Sequence, residues 1–391
     1  MNNGVINTGR LIRRALQWCG LAVCVGWLQT ASAEELIVGT TLTNNEFTEL
    51  LNKFRPPANT SFEATYVNVD QLTADLLLNQ DTGLVPDVVI IPTYLLTLPG
   101  IEYETLPASW AVAGIPHKYR LQGAVKGRWL GAPVIAGNHL MLYFNKGLVG
   151  KPAESWDKVA ESHAASNNTV AGWAYNEPYW FIPFLSVFGA LPLHEQGTVA
   201  DNLARTLEYY RDLGTRGIVS PECNYNCTTE LFMKGKLPYM IDGSWSYNKL
   251  KLALGDNIGV APLPAFGSRS MHSYNSTYVV AIPRRVGRTS AEKWDLIREF
   301  VAYTRSMEMQ SAMWEQAKLL PVLTPEQNDL LLAGNPGLDV ILKEMGQTTA
   351  LPNSERMSTV WDALSLGFQY YSADVMNAEE ASQFIINTIH Q

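Results

Sequence analysis

The sequence predicts an α/β protein of two lobes, each built on a mostly parallel sheet flanked by helices. Apolar runs of strand length alternate with amphipathic helical runs, the pattern of parallel sheets covered on both faces. Residues 34–391 number 358, too many for one ordinary core and right for two. No repeat, low-complexity tract or long linker separates the halves, so the chain is expected to pass between the lobes more than once.

The first 33 residues are set apart from the fold. Arg10, Arg13 and Arg14 precede an apolar run over 15–28, and "ASA" at 31–33 offers a small-x-small cleavage point. Together these read as a secretory signal peptide cut after Ala33. The apolar run is shorter than the roughly 20 residues that span a bilayer. Cys24 in "LAVC" would suit a lipidated leader, but bulky Val23 precedes it and apolar sequence continues beyond it. The expectation is an exported, periplasmic protein. Losing the three leader arginines moves the net charge from −8 to −11, which disfavours nucleic acid and anionic membrane surfaces as partners.

Residues 34–42 ("EELIVGTTL") read as a buried strand. Thr43-Asn44-Asn45-Glu46 then has the form of a capping box, in which the Thr43 hydroxyl and the Glu46 carboxylate satisfy helix amides. Phe47, Leu50, Leu51 and Phe54 follow at helical spacing. A strand at 62–67, a helix around 71–80 and a strand at 86–91 continue the alternation. It resumes after 131–149 with a strand in "TVAGWAY" and a helix over 198–213. Short strands follow in "LPYMID", "NIGVAPLP" and "STYVVAIP", and a strong helix over 290–306.

Two cysteines lie beyond the leader, Cys223 and Cys227 in "PECNYNCTTE". In an exported chain a C-x3-C pair closes as a disulfide more often than it stays as two thiols. His117, His139, His163, His194, His272 and His390 have no metal-motif spacing, so neither metal nor cofactor is expected. Motifs of serine hydrolases, P-loop proteins, zinc proteases and dinucleotide enzymes are missing. The residues by themselves therefore give no support to an enzyme. A secreted glycoside hydrolase stays as an alternative, because paired carboxylates are a three-dimensional property.

Aromatic residues at element ends are the chemical signal. Trp245 lies in "DGSWSYNK", Trp361 in "RMSTVWDAL", Tyr225 in the cysteine loop, and Tyr179 and Trp180 follow Glu177 in "NEPYWFIPF". Any one tryptophan is ordinarily a partly buried core residue. An acid beside several rings at a strand end suits a pyranose, with rings for its apolar faces and carboxylates and amides for its hydroxyls.

The segments "NEPYWFIPFLSVFGA", "ELFMKGKLPYMIDGSWSYN" with "IGVAPLPAF", and "LPNSERMSTVWDAL" resemble those of family 1 extracellular solute-binding proteins of ABC importers, the group of the maltose/maltodextrin-binding proteins. "LYFNKGLVGKPAESWDKV" matches a pattern of the wider family. The resemblance covers nearly all of 34–391. It implies a type II periplasmic binding protein-like fold, with 34–136 and 279–320 in the N-terminal lobe and 139–274 and 325–391 in the C-terminal lobe. Hinge crossings would fall near 136–139, 274–278 and 320–324. It also implies a monomer that binds a sugar between the lobes and delivers it to a membrane permease.

Carried over by residue, Glu177 matches the acid for sugar hydroxyls and Tyr179 its aromatic neighbour. Tyr225 matches a pocket tyrosine, and Trp245 and Trp361 match the tryptophans that stack on glucosyl rings. Glu177 and Pro178 would open a helix facing the cleft, where Pro178 suits the first turn. The other lobe departs from the maltodextrin pattern. Thr43 and Asn44 stand where an acid and a lysine are usual. Ile91, Tyr94 and Leu95 replace a tryptophan and an Asp-Arg pair, and Asn138 replaces the hinge acid. Thr43, Asn44 and Asn138 are kept as candidate ligand contacts. An oligosaccharide such as a maltodextrin is expected, with a polyamine or a phosphorylated polyol as alternatives. A cation would need several converging acids, and a phosphate would need arginines or a helix N-terminus.

Overall fold

The computed structural model describes residues 34–79, 85–111, 115, 117–192, 200–284, 289–322, 329, 333 and 336–390. The signal-peptide reading of 1–33 lies outside these residues, as do the start of the helix expected at 198 and the end of the third crossing at 323–324.

The chain opens with β1 (Glu34–Thr40), the helix Asn45–Leu51, β2 (Thr60–Tyr66), the helix Val69–Asn79 and β3 (Val88–Pro92). A small hairpin, β4 (Ala124–Val125) and β5 (Arg128–Trp129), leads into β6 (Gly131–Ala136). Next come β7 (Leu140–Asn145), β8 (Ala171–Gly172), β9 (Tyr239–Gly243) and β10 (Ile258–Ala261). The last strands are β11 (Tyr274–Asn275), β12 (Tyr278–Ala281), β13 (Leu320–Pro321) and β14 (Thr349–Ala350).

These strands form a six-stranded sheet in the order β13-β6-β12-β3-β1-β2 and a four-stranded sheet in the order β10-β7-β9-β8, while β11 pairs with β14. Side-chain alternation explains why the larger sheet is covered on both faces. Val88 and Ile90 of β3 and Val280 of β12 join one core with Phe47, Leu51 and Phe300. Val89, Ile91, Val279 and Ala281 point the other way, into a core with Leu72 and Leu76.

Both sheets are mixed, which corrects the expectation of mostly parallel ones. β1 is parallel to β2 and β3, but β12 is antiparallel to β3 and β6, and β13 to β6. In the smaller sheet β8 and β9 are parallel, and β7 runs against β9 and β10. The cause is topological. A helical crossover returns the chain in the same direction, whereas β7 arrives straight from β6, and β12 follows closely on β11. Strands that enter from outside their sheet without such a helix run against their neighbours.

Three local readings also change. Thr43 is not the cap of the first helix: Asn44 is, its Oδ1 accepting the Phe47 amide at 2.8 Å. The helix thus begins at Asn45 and leaves Glu46 in its first turn, consistent with asparagine being a better cap than threonine. Phe54 lies beyond the helix but stays in the core, edge-on to Phe62 and Phe300. "TVAGWAY" contributes only Ala171–Gly172 to a sheet. Its Trp173 and Tyr175 leave the ladder and pack around Tyr210, whose hydroxyl accepts the Trp173 indole N–H at 2.6 Å.

Candidate functional site

Four elements of the half containing the smaller sheet converge on one cluster of rings. The helix Pro178–Phe188 has Pro178 as its first residue and carries Tyr179 and Trp180 in its first turn. The 3-10 turn Ser244–Ser246, directly after β9, presents Trp245. Tyr225 opens the helix Tyr225–Met233, and Trp361 lies in the second turn of the helix Met357–Ser372. The Tyr179 ring centroid is 6.2 Å from those of both Trp245 and Trp361. Trp180 is 6.2 Å from Trp245 and 5.8 Å from Tyr225. All five rings are partly exposed, so they form a surface rather than a sealed core.

Backbone constraints set that surface. A Cβ on Gly243 would lie 2.1 Å from the Trp245 ring, so the indole sits against bare main chain that only glycine allows. The Trp180 indole N–H donates to the Ile241 carbonyl at 2.9 Å. The Tyr225 hydroxyl is 3.1 Å from Ser246 Oγ, and Ser246 donates to the buried carboxylate of Asp242 at 2.6 Å. Burial pushes the Asp242 carboxyl up to about 7, against the opposing hydrogen bonds from Ser246 and the Gly243 amide.

A disulfide joins Cys223 and Cys227 and brackets Asn224 and Tyr225. Asn224 Oδ1 caps the helix by accepting the Cys227 amide at 3.0 Å. Closing so short a loop is worth about 2 kcal/mol in the chain-entropy account. The Cys223→Ser, Cys227→Ser double variant should lose about that much in urea unfolding. An unchanged midpoint would mean that the cap alone holds Tyr225.

Tyr179 has a second set of contacts. Its hydroxyl shares its one hydrogen between the carbonyls of Asn138 and Tyr274, the latter at 3.2 Å. These carbonyls belong to the segments that leave β6 and precede β12. Burial raises the Tyr179 pKa, keeping the phenol a donor. Gly137 (φ 104°) and Asn138 (φ 47°) turn the first segment, and Asn138 Nδ2 donates to Ser276 Oγ of the second at 2.6 Å. Tyr179→Phe should keep the ring and lose this shared bond, lowering stability by about 0.5–1.5 kcal/mol. Unchanged unfolding with a large loss of ligand affinity would instead make that hydroxyl a ligand contact.

The remaining sequence candidates are placed as follows. Glu177 is the exposed N-cap residue of the helix Pro178–Phe188 and makes no side-chain cap bond. It lines a small crevice with Tyr175, Phe181 and Leu364, none of which belongs to the ring cluster. Asn138 lines a crevice between the two sheets with Trp245, Ser244, Tyr278, Leu42 and Lys318. Its volume is about 20 Å³, room for about one water, so a sugar ring enters there only if the halves separate. Asn44 is used structurally, since its Nδ2 donates to the Ala317 carbonyl at 3.1 Å while its Oδ1 caps the helix. Thr43 is exposed beside Leu42 and is not brought into the ring cluster.

A larger cavity, about 550 Å³, lies elsewhere, among Leu96, Tyr103, Lys126, Arg128 and Arg284. None of the candidate residues lines it. Arg284 pairs with Glu102 and Lys126 with Glu355, each at 2.7 Å, so its main charges already have partners. Sequence reading passed over two contributors to the ring site. Trp180, noticed only as part of an aromatic run, links Tyr225 to Trp245. Asp242 showed only as an acid ending the apolar run "YMID", a position that does not reveal burial.

Residues 49–336, well over half of the chain, match the family model of bacterial extracellular solute-binding proteins. The chain is 26% identical over 247 residues to a maltotriose-binding protein of Pyrococcus abyssi, covering 60% of this chain and 53% of that one. It thus spans about half the length of that relative. It is 23% identical over 310 residues to a maltooligosaccharide ABC transporter solute-binding lipoprotein of Streptococcus pneumoniae, covering 73% and 71%. The maltose/maltodextrin-binding domain MalE from Bdellovibrio bacteriovorus, bound to maltotriose, superposes with a TM-score of 0.76 at 21% identity, covering 91% of this chain and 99% of that one. The GacH receptor of Streptomyces glaucescens gives 0.80 at 18% identity, covering 91% and 97%. Those structures share the two-lobed type II periplasmic binding protein fold, and by the extent of the family match this chain belongs to the bacterial extracellular solute-binding proteins.

Proposed function

We propose that this protein is the sugar-binding component of an ABC importer, taking an oligosaccharide such as a maltodextrin onto the ring surface. The observation that carries this reading is the convergence of Tyr179, Trp180, Tyr225, Trp245 and Trp361 on one partly exposed floor. Flat rings bury the apolar faces of sugars, and Glu177, the N-cap of the helix that carries Tyr179 and Trp180, would be an acceptor for hydroxyls. The names of the relatives from Pyrococcus and Streptococcus point to the same ligand class. Of the two candidate acids Asp242 is buried and only Glu177 is exposed, which gives a polyamine little charge to bind.

The six- and four-stranded sheets are taken as the cores of the two lobes, with 136–139, 274–278 and 320–324 as the hinge. Opening would part the Leu42 edge from Trp245, with which it shares the narrow crevice, and closure on a ligand would bring the two back toward each other. The protein would act as an exported monomer, released from its leader after Ala33, and would hand its ligand to the permease without chemical change. Among the described residues no helix is long and apolar enough to cross a membrane.

A thermal-shift series with maltose, maltotriose, spermidine and glycerol phosphate tests the reading, since a ligand that binds only the folded state raises Tm. Maltotriose at 100 times its Kd should add about 2.7 kcal/mol of stability. A shift with spermidine or glycerol phosphate alone would overturn the sugar assignment, and release of glucose from maltotriose would make the protein a hydrolase.

A further inference from the structure

We propose that Asp242 is a positioning residue for the ring floor, its carboxylate fixing the turn that carries Trp245 through the Gly243 amide and the Ser246 hydroxyl. The inference rests on the reading of these rings as the ligand surface. Asp242 is the fourth residue of β9 and is 1% exposed. Its Oδ1 accepts the Gly243 amide at 2.7 Å and its Oδ2 accepts the Ser246 hydroxyl at 2.6 Å. A serine hydroxyl has one hydrogen, and here a carboxylate takes it. Ser246 Oγ is then left as an acceptor, so the Tyr225 hydroxyl at 3.1 Å must be the donor.

Trp245 lies between Gly243 and Ser246, so the two bonds to Asp242 hold the turn on both sides of the residue that carries the indole. The hydrogens of Tyr225 and Ser246 point toward the acid. The indole itself rests on Gly243, where a Cβ has no room. The ring that a sugar would stack on is thus fixed by bare backbone and by a buried negative charge.

The surroundings leave that charge only lightly compensated. Lys249, from the helix after the turn, favours the ionised form. Tyr143 of β7 donates its hydroxyl to the Gly243 carbonyl at 2.8 Å, and its pKa is raised by burial and then by Asp242. Tyr225 approaches from the helix Tyr225–Met233, and Met141 lies opposite on β7. Desolvation outweighs these groups and brings the carboxyl to about 7. Near neutrality the acid changes state. Above that point the charge orders the turn; below it Asp242 carries its own proton, and the ordering charge is gone.

The test titrates tryptophan fluorescence of the ligand-free protein from about pH 5 to pH 9, a window that brackets the transition. A step centred near 7 is expected in wild type and absent from Asp242→Asn and Trp245→Phe. Ser246→Ala leaves the acid in place and removes its bond to the turn, so it too should lose the step, which guards against Asp242→Asn failing to fold. Maltotriose affinity should weaken about 3- to 10-fold below the midpoint in wild type, under 1.4 kcal/mol, and be flat with pH in Asp242→Asn. A step that survives in Asp242→Asn or Ser246→Ala overturns the proposal, as does a wild type without one. Wild type that shows the step but does not bind maltotriose overturns the sugar reading and leaves the positioning role standing.

Discussion

Trp245→Ala should bind maltotriose about 10- to 100-fold more weakly while keeping its fold. Burying an aromatic side chain is worth about 1.5–3 kcal/mol, and each 1.4 kcal/mol is tenfold in affinity. The ring is partly exposed in a short turn and rests on Gly243 and the other rings, so its removal uncovers surface rather than hollowing a core. Trp361→Ala should behave likewise but with the smaller loss, because its ring contacts run to Tyr179 while Trp245 meets both Tyr179 and Trp180. If the tryptophans were core residues, alanine would cost about 3–5 kcal/mol of stability. Unfolding and affinity measured on the same variants separate the two outcomes. Folded Trp245→Ala with wild-type affinity would place the ligand on another surface.

Stability should fall as pH rises from about 4 to about 7 and then level off. Asp242 and Glu344 are almost fully buried, and burial pushes each carboxyl up to about 7. In the unfolded chain ordinary carboxyls titrate near 4. Between these values the native state holds protons that the unfolded state releases, so raising the pH favours unfolding. At 1.36 kcal/mol per unit the effect reaches at most about 4 kcal/mol for each acid. Surface pairs such as Lys251 with Asp256 act in the opposite sense, but exposed pairs contribute little. Urea midpoints at pH 5 and pH 8 test this: the midpoint should be higher at pH 5, and Asp242→Asn with Glu344→Gln should remove most of the difference. A midpoint that rises toward pH 8 would show that both acids stay ionised in the fold.

What the sequence disclosed follows from how local each signal is. Strands such as Val88–Pro92 and Tyr278–Ala281 are short, fully apolar and bounded by polar turns, so they could be read directly. Strand direction could not, because the reversal of β7 and β12 depends on where the chain leaves one sheet for the next. Asn44 and Thr43 are adjacent and both can cap, and a one-residue choice decided which amide was used up. Tyr179, Tyr225, Trp245 and Trp361 stood out because rings at element ends break the core periodicity, and they do meet in space. Asp242 did not stand out. An acid closing an apolar strand ordinarily faces solvent, and only the packing of Tyr225, Ser246 and Tyr143 around it makes it buried.

The position of β12 also bears on when the larger sheet can exist during synthesis. β12 lies between β3 and β6, and its two neighbours share no edge without it. A ribosome that has completed β6 has made all the parallel strands of that sheet but not the one that joins them. The growing chain therefore holds β1, β2 and β3 as one open fragment and β6 as a loose strand until residue 281 is out. Pairing over so long a separation is slow to form. Completion of the sheet is thus delayed, and the seam closes only after most of the polypeptide has been made.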